Sequence, residues 1–196
     1  MARWSKQIDN VLKLSSTYKS DEKFMESFHK IRNHLPANDQ EKKEFDEFSL
    51  VTSSMVILIH IAKADGVLKG EEHEKIIEDL IFQLEQRPYE YDELAEKFGK
   101  YEREIITNMF EKLSKDYEKN LINLDEIIRI IKMIYQNNPE KRYYLLRLCF
   151  HVALADFDYD KKEQDVIKEI AVKLELTPED IARIEKETRN EVINKN

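Results

Sequence analysis

The sequence predicts an all-α protein, a compact bundle of about eight helices that contains two related helix–turn–helix hairpins. Three observations support this class. The 196 residues include only three Gly and four Pro, hydrophobic residues recur at spacings of three and four almost throughout, and one helical stretch occurs twice. Because β-sandwiches and barrels need frequent turn residues, and phosphate-binding loops need clustered glycines, both are excluded.

The first two helices are predicted from apolar patterns. Residues 1–38 are expected to form N-terminal helices packed on the core, with a stripe made of Phe24, Phe28, Ile31 and Leu35. The next helix extends from about Asp39 to Ala64. It contains an uncharged run, 48–62, which is too short to span a bilayer and is typical of a buried helix.

The middle of the chain is predicted to be helical and acidic. A turn bracketed by Gly66 and Gly70 leads into a helix that stops before Pro88, and residues 90–118 form one helix or two, with Gly99 as the break. Residues 68–104 hold twelve acidic and six basic side chains, a net charge of −6. Two interpretations remain open for this stretch, a solvated helical surface or a docking face for a basic partner.

Capping residues define the remaining helices. Asn123 with Glu126 makes a capping pair for one helix, and Asn138 caps another that begins at Pro139 and runs to Ala155. Asp160 and Glu163 stand at N-cap and N3 spacing for the next helix, and the segment 177–180 opens the last one.

An internal repeat carries most of the functional information. Residues 60–81 align without gaps on residues 151–172, and seven of the 22 positions are identical. Each copy comprises the end of an apolar helix, an Asp, a short turn and a second helix with Glu in its first turn. This pattern predicts two hairpins packed face to face about an approximate twofold axis. The apolar stripe of the second helix matches better at an offset of 90 than 91, which predicts a relative rotation of these helices.

These residues resemble the TerB-like family, the tellurite-resistance domain that also occurs in a membrane-anchored DnaJ-type co-chaperone. The matching pieces are Ala62-Lys63-Ala64-Asp65-Gly66 with Glu72, Ala153-Leu154-Ala155-Asp156 with Glu163, and the tail Leu174-Glu175-Leu176-Thr177-Pro178-Glu179-Asp180. The sequence departs from the family at Phe157, which replaces the glycine of the second turn, and residues 88–137 show no family signature. It also lacks the His-Pro-Asp tripeptide of a J-domain.

The resemblance implies an all-helical domain over residues 39–196, linked to stress responses and binding divalent metal through the acidic turns. Asp65, Glu72, Asp156 and Glu163 form an oxygen-only ligand set suited to Ca²⁺, Mg²⁺ or Mn²⁺. Asp158 and Asp160 extend the second turn, which matches the first three ligand positions of an EF-hand and then fails at Lys161 and Ile167. The alternative is that these acids only cap helix N-termini.

Other chemistries lack a supporting set of residues. The net charge of −8 argues against nucleic acid as a partner, no catalytic set is present, and the chain is therefore predicted not to be an enzyme. Cys149, the only cysteine, is expected to be a buried thiol in a reducing, cytoplasmic compartment. His60 and His151 are expected to pack at helix contacts rather than join the acids.

Two functions follow from the sequence. In the first, a TerB-like domain binds a divalent cation and acts in a stress response or a membrane-associated assembly. In the second, a metal-free helical module docks a protein partner, or a second copy of itself, through the acidic face. The sequence fixes neither the partner nor the oligomeric state.

Overall fold

A computed structural model describes residues 39–64, 66, 70–85, 106–136, 140–155 and 159–194. Within these ranges the chain forms seven helices and no strand: α1 (Asp39–Ala62), α2 (Gly70–Glu85), α3 (106–118), α4 (Leu124–Ile134), α5 (Glu140–Ala153), α6 (Lys161–Lys173) and α7 (Pro178–Asn194). The all-α prediction is confirmed, with seven helices here against about eight expected for the whole sequence. The expected N-terminal helices, the Gly99 break and the Asn138 cap lie outside the described residues.

Helix α1 is the centre of the bundle. Every residue from 51 to 59 is buried, so the helix is enclosed on all sides rather than along one stripe. Helices α2, α4, α5 and α6 pack against it, and α3 contacts it through the Thr52 hydroxyl, which lies 3.6 Å from the Met109 sulfur. The apolar run that is too short for a bilayer is therefore covered by protein.

The two hairpins pack on each other as the repeat predicts. Helix α1 packs on α5, while α2 and α6 each contact both of these central helices. Ile76 and Ile167, which are equivalent in the repeat, are both fully buried. Ile77 is also buried, whereas the equivalent Lys168 is exposed. The buried face of α2 therefore includes one position that α6 leaves in solvent, in agreement with the predicted rotation.

A third helix packs on each hairpin and runs parallel to the first helix of that hairpin. We call the three helices together a unit. In the first unit, Thr52 contacts Met109 and His60 contacts Tyr117 on α3. In the second unit, Tyr143 contacts Asp180 and His151 contacts Glu191, both on α7. Tyr143 and His151 lie 91 positions after Thr52 and His60, the same offset as in the repeat. In both units, therefore, equivalent positions of the first helix contact a third helix.

The predicted caps of α4 and α7 are confirmed. The Asn123 side-chain oxygen accepts hydrogen bonds from the backbone N–H groups of Asp125 and Glu126 over 3.0 and 3.4 Å, and the Thr177 hydroxyl accepts one from Asp180 N–H over 3.1 Å. These contacts satisfy donors that a helix N-terminus otherwise leaves without partners.

Helix α5 ends at Ala153, two residues before the predicted end. The Ala155 N–H donates to the carbonyl of Val152 over 3.1 Å, three residues back rather than four, which tightens the chain into a turn. Helix α6 ends differently, because Glu175 adopts a left-handed conformation with φ 63° and the Leu176 N–H returns to the Ala171 carbonyl over 3.0 Å.

Candidate cation-binding turns

The first candidate turn begins at the end of α1. The Ala64 N–H donates to the Ile61 carbonyl over 2.8 Å, and the Gly66 N–H donates to the Lys63 carbonyl over 3.1 Å. Gly66 has φ +103°, a backbone conformation that residues with a Cβ rarely adopt. The glycine therefore allows the chain to reverse between α1 and α2. Asp65, the predicted ligand in this turn, lies outside the described residues.

Glu72 is placed by the first turn of α2. Its side chain is only 2% exposed, although its neighbours Glu71 and Glu74 are exposed. The adjacent His73 ring lies 4.4 Å from the Phe110 ring, measured between centroids, with an angle of 31° between the planes. This aromatic contact attaches the start of α2 to α3 and keeps the Glu72 end of the helix against the protein interior.

Asp160 and Glu163 form a complete capping box in the second candidate turn. The Asp160 side-chain oxygen Oδ1 accepts a hydrogen bond from Glu163 N–H over 2.8 Å, and Glu163 Oε2 accepts one from Asp160 N–H over 3.1 Å. Glu163 is 4% exposed, almost as buried as its equivalent Glu72. The capping interpretation is thereby confirmed for this pair. Asp156 and Asp158 lie outside the described residues.

Tyr159, the residue before Asp160, packs against side chains of α5 and α7, a role that no sequence motif indicates. Its ring contacts Phe150 edge-on with centroids 6.3 Å apart, and the Arg189 guanidinium lies 4.8 Å from its centroid. Burial and the nearby Glu185 raise the pKa of the Tyr159 hydroxyl, so the side chain is neutral at physiological pH. The equivalent position of the first repeat is Leu68, so only an apolar character is shared and no motif marks it.

The six predicted ligands are therefore placed only in part. The structure joins Asp160 and Glu163 by two hydrogen bonds and places Glu72 in the first turn of α2. Among the residues with described positions, no group of three or more His, Cys, Asp or Glu side chains is arranged to hold a metal ion. The three aspartates that complete the predicted ligand set are not among those residues.

The two repeat histidines pack at helix contacts, as predicted. His60 Nδ1 shares a hydrogen bond of 2.5 Å with the Tyr117 hydroxyl, and burial lowers the pKa of this histidine. His151 Nε2 lies 3.6 Å from a carboxylate oxygen of Glu191. Neither histidine is directed by these contacts toward the carboxylates of the turns.

Cys149 lies in the interior of the bundle. Its side chain is fully buried, and burial raises the pKa of the thiol well above its usual range, which disfavours the nucleophilic thiolate. In the helices that the structure describes, none is both long and apolar enough to cross a membrane.

Comparison with known proteins identifies the family. The family model described as "Tellurite resistance protein TerB" matches residues 52–186, which span α1 to α7 and include both candidate turns. No curated protein and no solved structure gives a significant match. The matched region covers more than half of the 196 residues, and it begins within the buried part of α1. The chain belongs to the TerB family.

Proposed function

We propose that this protein is a non-enzymatic helical domain that binds divalent cations at its two Asp–Glu turns and acts in a stress response of the tellurite-resistance type. The observation that carries the proposal is the burial of Glu72 and Glu163 at equivalent positions, 2% and 4% exposed, each in the first turn of a second hairpin helix. Both glutamates already make contacts within the protein, so a bound cation would add to those contacts at two equivalent places. An aspartate precedes each of these glutamates by seven residues.

The chemistry of the turns suits a hard cation. Carboxylate oxygens are the preferred ligands of Ca²⁺, Mg²⁺ and Mn²⁺, and the repeat supplies no thiolate or imidazole at these positions. A helix N-terminus also stabilises a carboxylate without any metal. The decisive experiment must therefore remove the ligand charge while keeping the cap.

Glu163→Gln meets this requirement, because glutamine can occupy the N3 position of a capping box. Thermal melting is measured in EDTA and in Ca²⁺, Mg²⁺ or Mn²⁺ for the native protein, for Glu163→Gln and for the pair Asp65→Asn/Asp156→Asn. A cation present at 100 times its Kd adds about 2.7 kcal/mol to the free energy of unfolding, which raises Tm by several degrees. We expect this rise in the native protein and its reduction in both variants.

Glu179→Gln is the matched control, since Glu179 is an exposed acid in the first turn of α7 and belongs to neither candidate turn. It should keep the cation-dependent rise in Tm. The proposal is wrong if no cation changes the Tm of the native protein, or if Glu179→Gln and Glu163→Gln lose the rise equally.

A second function is favoured by the outer face of α2. Glu71, Glu74 and Glu78 are exposed and follow one another at spacings of three and four residues, so they form an acidic stripe along the helix. We propose, as the alternative, that this stripe docks a basic protein partner in a reducing, cytoplasmic compartment, either free or in a membrane-associated assembly.

Charge reversal tests the docking alternative. Partners are captured on the native protein and on Glu71→Lys/Glu78→Lys, with Glu187→Lys on the exposed face of α7 as the control. Loss of a salt-sensitive partner with the α2 variant alone would support docking at this stripe. Equal capture by all three proteins would exclude it.

A further inference from the structure

The structure places two equivalent histidines against chemically different partners. His60 and His151 occupy the same position in the repeat, near the ends of the central helices α1 and α5, and each contacts the third helix of its own unit. The partner of His60 is the neutral hydroxyl of Tyr117. The partner of His151 is the carboxylate of Glu191, which also pairs with Arg147.

Protonation therefore has different consequences at the two sites. A protonated His151 gains an ion pair with Glu191. A protonated His60 brings a positive charge into a half-buried position beside a phenol, which cannot neutralise it. Burial of Tyr117 raises the pKa of that hydroxyl, so it remains uncharged across the physiological range.

The remaining charges around His60 come from α6 and from a nearby ion pair. Glu169 favours the protonated form and Lys173 opposes it, but burial is the largest effect and the pKa of His60 is lowered overall from its ordinary value of 6.5. Lys173 itself pairs with Asp125 and Glu169. Just after the end of α1, Lys63 pairs with Glu118, the last residue of α3.

We infer that the contact between His60 and Tyr117 is an acid-sensitive connection: mild acid weakens the docking of the C-terminal half of α3 on α1, while the contact of His151 with Glu191 keeps α7 in place. An opened state exposes His60 to water and takes up the proton more readily than the docked state. Docking is therefore strongest above pH 6.5 and weakens as the pH falls.

Hydrogen exchange measured at pH 7.5 and pH 5.0, corrected for the intrinsic effect of pH, tests this inference. We expect protection of the amides of 113–118 to fall at least about threefold, because the opened state, in which His60 binds the proton more readily, becomes more populated. Protection of 187–194 should fall less. Equal losses in both helices would overturn the inference without any variant.

Two histidine variants provide matched controls. His60→Gln keeps a side chain that can hydrogen-bond Tyr117 but cannot be protonated, so the acid-dependent loss of protection in α3 should disappear. His151→Gln should leave that loss unchanged. Circular dichroism at pH 7.5 first checks that His60→Gln is folded. The inference is wrong if this folded variant loses as much protection in α3 between pH 7.5 and pH 5.0 as the native protein does. It does not depend on cation binding, because the exchange is measured in EDTA.

Discussion

Arg142 and Glu175 connect the start of α5 to the turn that follows α6. One guanidinium nitrogen, Nη1, donates both to a Glu175 carboxylate oxygen over 2.9 Å and to the Leu174 carbonyl over 3.2 Å. Lys132 on α4 lies 2.5 Å from the other oxygen of Glu175. The residue with a left-handed backbone is thus held by cations from two other helices, and these hydrogen bonds and charges lower the pKa of its carboxyl group.

Substitutions at Glu175 should separate backbone strain from ion pairing. Glu175→Ala loses the ion pairs and keeps the unfavourable φ, whereas Glu175→Gly loses the ion pairs but removes the strain. We expect the glycine variant to melt roughly 2–4 °C above the alanine variant. Asn120, which follows α3 and has φ 53°, is the control, because asparagine tolerates this conformation and Asn120→Gly should change Tm less. Equal Tm values for the two Glu175 variants would contradict the assignment of strain.

The capping box of α6 predicts a second comparison. Asp160→Ala removes the acceptor for the Glu163 N–H and should lower the free energy of unfolding by about 1 kcal/mol. Asp160→Asn keeps a side-chain acceptor at the same position and should cost less. Urea unfolding of the native protein and the two variants measures both losses of free energy. An equal loss in Asp160→Asn and Asp160→Ala would show that the stability comes from the charge of Asp160 and not from its capping hydrogen bond.

The duplication predicts matched costs in the core. Ile76 and Ile167 are equivalent and fully buried, so replacement of either by alanine should cost about 2–5 kcal/mol through lost burial and a residual cavity. Val172, on the same helix as Ile167, is 66% exposed, and Val172→Ala should change stability by less than about 0.5 kcal/mol. A small cost at only one of the two isoleucines would show that the units do not share the same packing.

The ion pairs of Glu191 predict a pH-dependent effect. Burial raises the pKa of this carboxyl group, but its contacts with Arg147 and His151 outweigh burial and lower the pKa overall. A carboxyl group with a lowered pKa stabilises the folded state above its unfolded pKa, and this contribution is lost as the pH falls through the folded value. Glu191→Gln should therefore be less stable than the native protein at pH 7, and the difference should shrink below about pH 4. A difference that is constant between pH 7 and pH 3 would exclude this cause.

The local features of the fold were predictable from the sequence because they depend on neighbouring residues. A cap is a contact between positions two or three residues apart, so Asn123, Asp160 and Thr177 are recognisable without knowledge of the tertiary structure. The 48–62 run likewise indicates a buried helix. Its enclosure on all sides was not predictable, since that depends on α4 and α5, which are far away in sequence.

The correspondence of the third helices was not detectable for a different reason. Tyr117 and Glu191 have unrelated side chains, and what they share is only a contact with a repeat histidine. Glu175 was also unexpected in a left-handed conformation, because glycine usually occupies that position after a helix. At the candidate turns, spacing predicted the Asp160–Glu163 pair, while cation binding depends on side chains brought together by the turn and stays a prediction.

The enclosure of α1 also has a consequence for synthesis on the ribosome. The helix is complete at Ala62, but α5, one of the helices that cover it, ends only at Ala153. At about 5–20 residues per second, synthesis of the chain from Ala62 to Ala153 takes roughly 5–20 s. The most apolar segment of the chain lacks the helix α5 during this time. During that interval the nascent protein exposes an aggregation-prone surface, so its yield in cells should depend on chaperones that bind emerging chains.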